Sequence, residues 1–214
     1  MSGNWNEADH PREPKGSSKG GQFTDVDTIS GAAAAAAIPD YVTKELRKEW
    51  VRRLSGLDHE VAILIDPDTA GRIYEQEGQR GRVDFDVKQR RAANNKVLLH
   101  NHPYSNSPFS VEDVKFFLRF NLKEMWVIAS DYIFKMKKMP EMMTYFEMDW
   151  NEFVFRKAIL YDDAFSSIFD RRADSSYYLD QLKKSTAKIR AFKELSKNYG
   201  WDFEWIKKED YRGE

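Results

Sequence analysis

Four residues of this chain have types and spacing suited to chemistry at a metal ion: His100, His102, Ser110 and Asp113. The run Val97-Leu98-Leu99-His100 reads as a buried strand, and residues two apart on a strand share a side. Both imidazoles therefore reach one point as the strand frays into a loop. After seven intervening residues, Ser110 opens an amphipathic segment as its N-cap, and Asp113 falls in the first turn of that helix, facing back toward the loop. Two imidazoles and one carboxylate match the three-ligand set of a catalytic zinc site, whose fourth position is kept for water. Zinc lowers the pKa of that water toward about 7 and polarises a carbonyl. Hydrolysis also needs a group that takes the water's proton and gives one to the leaving amine. Glu60 is the candidate, because it begins a strand expected to pair near the one carrying His100. Glu75 and Glu77, on or just after the next strand, compete for that role. Ser110 has two expected tasks, capping the helix and donating to a developing oxyanion.

Each part alone has a plainer reading. Ser110 and Asp113 form an ordinary capping box, and two histidines at a strand end favour a structural role. Jointly they favour a bound divalent metal. Cysteine is absent, so nitrogen and oxygen must supply every ligand. A net charge of -1 gives no global attraction to nucleic acid. With 214 residues, 41% of them hydrophobic, the chain suits one domain plus appendages. No apolar run approaches the roughly 18 residues of a spanning helix, and no secretory leader is evident, so a soluble, cytoplasmic protein is expected.

The elements that must position the site follow from periodicity. Residues 1–40, with a six-alanine run and no sustained apolar pattern, read as a flexible, disordered arm. Leu46, Trp50, Val51 and Leu54 predict a helix over 41–54, stopped by Gly56. His59 to Asp66 and Gly71 to Gln76 read as a strand pair around Pro67-Asp68. A short helix over 85–95 leads into the strand ending at His100. The helix begun at Ser110 continues to about 121, and strands follow at Met125 to Ser130 and Tyr132 to Met136. Beyond Pro140 the chain reads as helical, with a last helix over 176–199. The aromatic stripes of these helices are packing, and Lys183, Lys184, Lys188, Arg190, Lys193 and Lys197 form a solvated face. The organisation expected is an arm over 1–40, a metal-binding domain over 41–140 and a helical C-terminal extension over 141–214.

At Glu60, His100, His102, Ser110 and Asp113 the chain resembles the JAB/MPN metalloprotease family. Its JAMM motif is a distant upstream Glu, then His-x-His, seven residues, Ser, two residues and Asp. The His100-Asn101-His102-Pro103 wording and the stretch from Glu60 to Pro67 are particularly similar to the RadC-like and phage-associated bacterial branch. The resemblance spans about residues 57–137. It implies an α/β fold with a mixed β-sheet flanked by helices, one Zn2+, and cleavage of peptide or isopeptide bonds. The implied substrate is a protein or peptide, such as a ubiquitin-like tail or a phage structural protein. In the arm, His10-Pro11-Arg12-Glu13 and Gly20-Gly21-Gln22-Phe23-Thr24 resemble a segment of many phage and prophage proteins. Two rival expectations follow: a phage structural or interaction protein that uses the domain for docking, and a RadC-like DNA-associated protein, against which the near-neutral charge counts. An HNH nuclease is a poor reading, because that fold needs its histidines far apart and these are nearly contiguous.

Overall fold

Strand β1 (Val61–Ile65) forms an antiparallel hairpin with β2 (Arg72–Glu77) and pairs on its other side, also antiparallel, with β3 (Val97–Asn101). β3 runs parallel to β4 (Glu124–Ile128), which is antiparallel to β5 (Tyr132–Lys137). The order across the single mixed sheet is β2-β1-β3-β4-β5-β6, where β6 is Asp202–Lys207. Among the described residues five α-helices accompany it: α1 (Asp40–Ser55), α2 (Val87–Ala92), α3 (Val111–Arg119), α4 (Trp150–Ile168) and α5 (Tyr177–Tyr199). The computed structural model describes residues 40–79, 82–140, 142–168 and 177–213. The expected arm, with both of its phage-like segments, lies outside them apart from Asp40 at the start of α1. The expected α/β class, a mixed sheet flanked by helices, is what the described residues form. None of their helices is long and apolar enough to cross a membrane.

Alternation along β3 sorts the core into two layers. Val97 and Leu99 join Ile63, Ile65, Trp126 and Ile128 beneath Val51 and Leu54 of α1. Leu98 faces the opposite side, with Ala62, Met125 and Val127 against Val114 and Phe117 of α3 and Phe192 and Leu195 of α5. All five β3 residues are buried, as expected of a strand covered on both faces. By the same parity His100 belongs to the α3 side, and Asn101 to the α1 side. A parallel β3–β4 pair cannot be joined by a tight turn, so the chain must cross over, and α3 is that crossover. The spacing of His100, His102 and Asp113 is thus built into a β–loop–α–β unit.

One region departs from the helical extension expected over 141–214. After Gly200, whose φ of 73° ends α5, the segment Asp202–Lys207 runs antiparallel along β5 and becomes the sixth strand. Phe203 is buried there, stacked on Phe134 at 6.2 Å and against Phe192 at 4.9 Å. β6 thus ties this segment to the sheet through β5. Six residues at a sheet edge, only Phe203 of them buried, offer too short an alternation to stand out beside a long amphipathic helix.

Candidate metal centre

The site lies where β1 and β3 part. Their ladder ends at Ala62 and His100, while β3 stays with β4 to Asn101 and Ile128, and the His102 amide then donates to the Ile128 carbonyl at 3.0 Å. The strands open a mouth, and His100 and His102 stand on one lip of it. Their Nε2 atoms are 3.2 Å apart. His102 Nδ1 lies 3.1 Å from the Ser107 carbonyl, which can only accept. That contact places a hydrogen on Nδ1 and turns Nε2 toward His100 and Asp113. Nδ1 of His100 is buried without a hydrogen-bond partner among the described residues.

Asp113 is brought in by the start of α3. Ser110 caps that helix, its Oγ accepting from the Asp113 amide at 3.1 Å, while Asp113 Oδ2 accepts from the Ser110 amide and hydroxyl, each at 2.7 Å. The capping box and the candidate ligand set therefore share the Asp113 carboxylate. So held, Asp113 places Oδ1 at 3.2 Å from His100 Nε2 and Oδ2 at 3.6 Å from His102 Nε2. Burial alone would raise the Asp113 pKa, but the charges and hydrogen bonds of the two histidines hold it well below the usual carboxylate range. Burial likewise lowers that of His102, but the bond and charge of Asp113 outweigh it and leave the imidazole raised.

These residues fit a metal ion. One donor atom from each of His100, His102 and Asp113 lies within 4.8 Å of the others. The 3.2 Å between imidazole nitrogens is close to the ~3.3 Å that tetrahedral zinc imposes with bonds of about 2.0–2.1 Å. Three electron-rich atoms at this separation repel one another unless a cation, a proton or a metal, sits among them. The triad can hold such an ion.

Glu60 lines the same cleft, half-buried just before β1. Burial of its carboxyl raises its pKa, His102 and His100 partly offset this, and Asp113 adds to the rise. The two rival glutamates are placed elsewhere. Glu75 and Glu77 pair in register with Ile63 and Val61, whose side chains lie in the α1-side layer, and cross-strand partners share a face. Glu75 is in addition bound to Arg53 of α1 and to Arg72. Ser110 is adjacent to the triad, but its hydroxyl hydrogen is directed at Asp113 rather than into the cleft.

The loop from Pro103 to Phe109 is tied down at several points. Phe109 is buried, its ring 5.4 Å from Phe192 and 6.4 Å from Phe203. Lys157 of α4 donates to the Phe109 carbonyl at 3.1 Å, and Lys188 of α5 to Ser107 Oγ at 2.6 Å. Asn106 bonds both the side chain and the amide of Asp131 in the β4–β5 turn. Lys188, expected on a solvated face, thus steadies the residue whose carbonyl orients His102. Nothing in the sequence marks Lys157 or Lys188 apart from their helical neighbours. Phe109→Ala is expected to destabilise the protein by about 3–5 kcal/mol, the usual cost of emptying a buried aromatic site. Urea denaturation measures it, and a loss below about 1 kcal/mol would show that Phe109 does not anchor the loop.

Beyond the triad the cleft, of about 950 Å³, extends to Arg90, Arg119, Phe116 and Phe120. Its size suits a peptide-length ligand. No family model, curated protein or solved structure matches this chain.

Proposed function

We propose that this protein is a zinc-dependent hydrolase of peptide or isopeptide bonds, of the JAB/MPN type that its motif resembles. The observation that carries the reading is Glu60. A carboxyl with a raised pKa shares one cleft with a three-ligand cluster built from two imidazoles and a carboxylate. His100, His102 and Asp113 would hold the metal, and imidazole-rich, thiol-free sets favour zinc over magnesium or calcium. When bound, zinc supplies an activated water and a Lewis acid for the substrate carbonyl. Glu60 takes the proton from the attacking water and returns it to the leaving amine, and its raised pKa suits both halves of that shuttle. Ser110 holds Asp113 in place, and a turn of its hydroxyl would be needed before it could donate to an oxyanion. A docking module, the rival reading, has no use for a complete ligand set.

The cleft also supports a substrate class. Arg90 and Arg119 stack over the Phe120 ring at 6.0 and 5.8 Å, and neither forms an ion pair among the described residues. Two such guanidiniums favour a segment with acidic residues beside the scissile bond. Arg119→Ala is expected to raise KM for an acidic peptide about tenfold, near 1.4 kcal/mol, with kcat little changed. An equal effect on a neutral peptide would remove that preference.

The test of the main reading is metal analysis of the purified protein with cleavage of a mixed peptide library followed by mass spectrometry. One equivalent of zinc and cleavage that a chelator stops and added zinc restores are expected. Absence of stoichiometric metal, or cleavage indifferent to chelation, would overturn it.

A further inference from the structure

We propose that Asn101, the residue between the two histidines, is the positioning residue for Glu60; the inference rests on the function proposed above. Asn101 Oδ1 accepts from the Val61 amide at 2.7 Å, and its Nδ2 donates to the His59 carbonyl at 2.8 Å. Those two groups are the backbone carbonyl before Glu60 and the backbone amide after it. One buried side chain, 1% exposed, therefore grips the main chain on both sides of the acid/base residue.

The reason lies in the opening of the sheet. Backbone pairing between β1 and β3 stops at Ala62 and His100, so Val61, paired with Glu77 on its β2 side, faces Asn101 outside the β1–β3 ladder. A carboxamide carries the same donor and acceptor as a peptide group, and Asn101 uses both to span the gap. On the other side of Glu60 the main chain is also held. Its amide donates to the Gln79 carbonyl at 3.4 Å and its carbonyl accepts from the Gly78 amide at 2.8 Å. Gly78 has no room for a Cβ beside the Arg82 carbonyl, so this approach needs glycine. Four backbone bonds thus fix where the Glu60 carboxylate enters the cleft, and two come from one side chain. The triplet divides its work by strand parity: the outer residues turn to the metal, and the middle one turns to the opposite face and secures the proton carrier.

Asn101 touches neither the metal ligands' donor atoms nor the cleft, so its loss should act through Glu60. Misplacing a reacting group by about 1 Å costs on the order of 100-fold in rate. Asn101→Leu is nearly isosteric and removes both bonds. It is expected to lower kcat by roughly 10- to 100-fold, with KM and zinc stoichiometry unchanged. In a Glu60→Gln background the same change should produce no further loss, because the two residues act as one unit. Hydrogen exchange at the Val61 amide should quicken in Asn101→Leu, a readout independent of turnover. Asn101→Asp keeps the acceptor and loses the donor, so it should fall between wild type and Asn101→Leu, and it carries the test if Asn101→Leu does not fold.

Wild-type kcat in both variants, a further loss in the Glu60→Gln background, or unchanged exchange at Val61 would overturn the role of Asn101 alone. Absence of metal and of hydrolysis in the wild type would instead overturn the parent reading, and the inference with it.

Discussion

His102→Ala is expected to abolish stoichiometric zinc binding and all chelator-sensitive hydrolysis, a fall in kcat/KM of at least about 1,000-fold. The substitution removes one of the triad's two imidazoles and leaves His100 and Asp113, too few ligands for the three-ligand site. It also frees the Ser107 carbonyl, which His102 Nδ1 holds at 3.1 Å, so the loop loses one of its ties to the strand end. Thermal melts give a second readout. A ligand that binds only the folded state stabilises it by about 2.7 kcal/mol at a hundredfold excess over its Kd. Added zinc should therefore raise the melting temperature of the wild type and leave that of His102→Ala where it was. A variant that still carries one equivalent of zinc, or still cleaves, would mean that the ion lies elsewhere.

Glu60→Gln should give the opposite pattern, with zinc retained and turnover lost. An amide of the same shape cannot accept the proton, and general acid–base catalysis of this kind contributes about 100- to 10,000-fold. kcat should fall by that factor while KM and metal content stay near wild type. Glu75→Gln and Glu77→Gln are the controls, because both side chains lie on the face of the sheet away from the triad. Both should hydrolyse at the wild-type rate. Equal losses in all three variants, or none in Glu60→Gln, would remove Glu60 from the mechanism.

How much of this could be read beforehand depended on distance along the chain. The convergence of His100, His102 and Asp113 follows from local rules, the two-residue period of a strand and the geometry of a capped helix, and the structure brings the three together. The choice among Glu60, Glu75 and Glu77 was not legible, because it depends on the register of β2 against β1, and a one-residue slip reverses every side chain. The supports of the site were less legible still. Asn101 reaches back 40 and 42 residues, Lys157 spans 48 and Lys188 spans 81. Such bonds leave no periodic trace, since a lysine that bonds a loop carbonyl occupies the same helical position as one that meets water. Strand β6 escaped for a related reason: its partner β5 lies more than a helical hairpin earlier in the chain.

The ties from α4 and α5 to the loop from Pro103 to Phe109, together with β6, bear on how this protein can be divided or recombined. The resemblance stops at about residue 137, yet Phe109 rests on Phe192 and Phe203, and β5 has β6 as its outer neighbour. A piece cut after Pro140 would bare one sheet edge and lose the aromatic floor under Phe109. The motif is therefore not a transplantable cassette: a change in the C-terminal half is felt at the loop between His102 and Ser110, and the two halves have to be moved together.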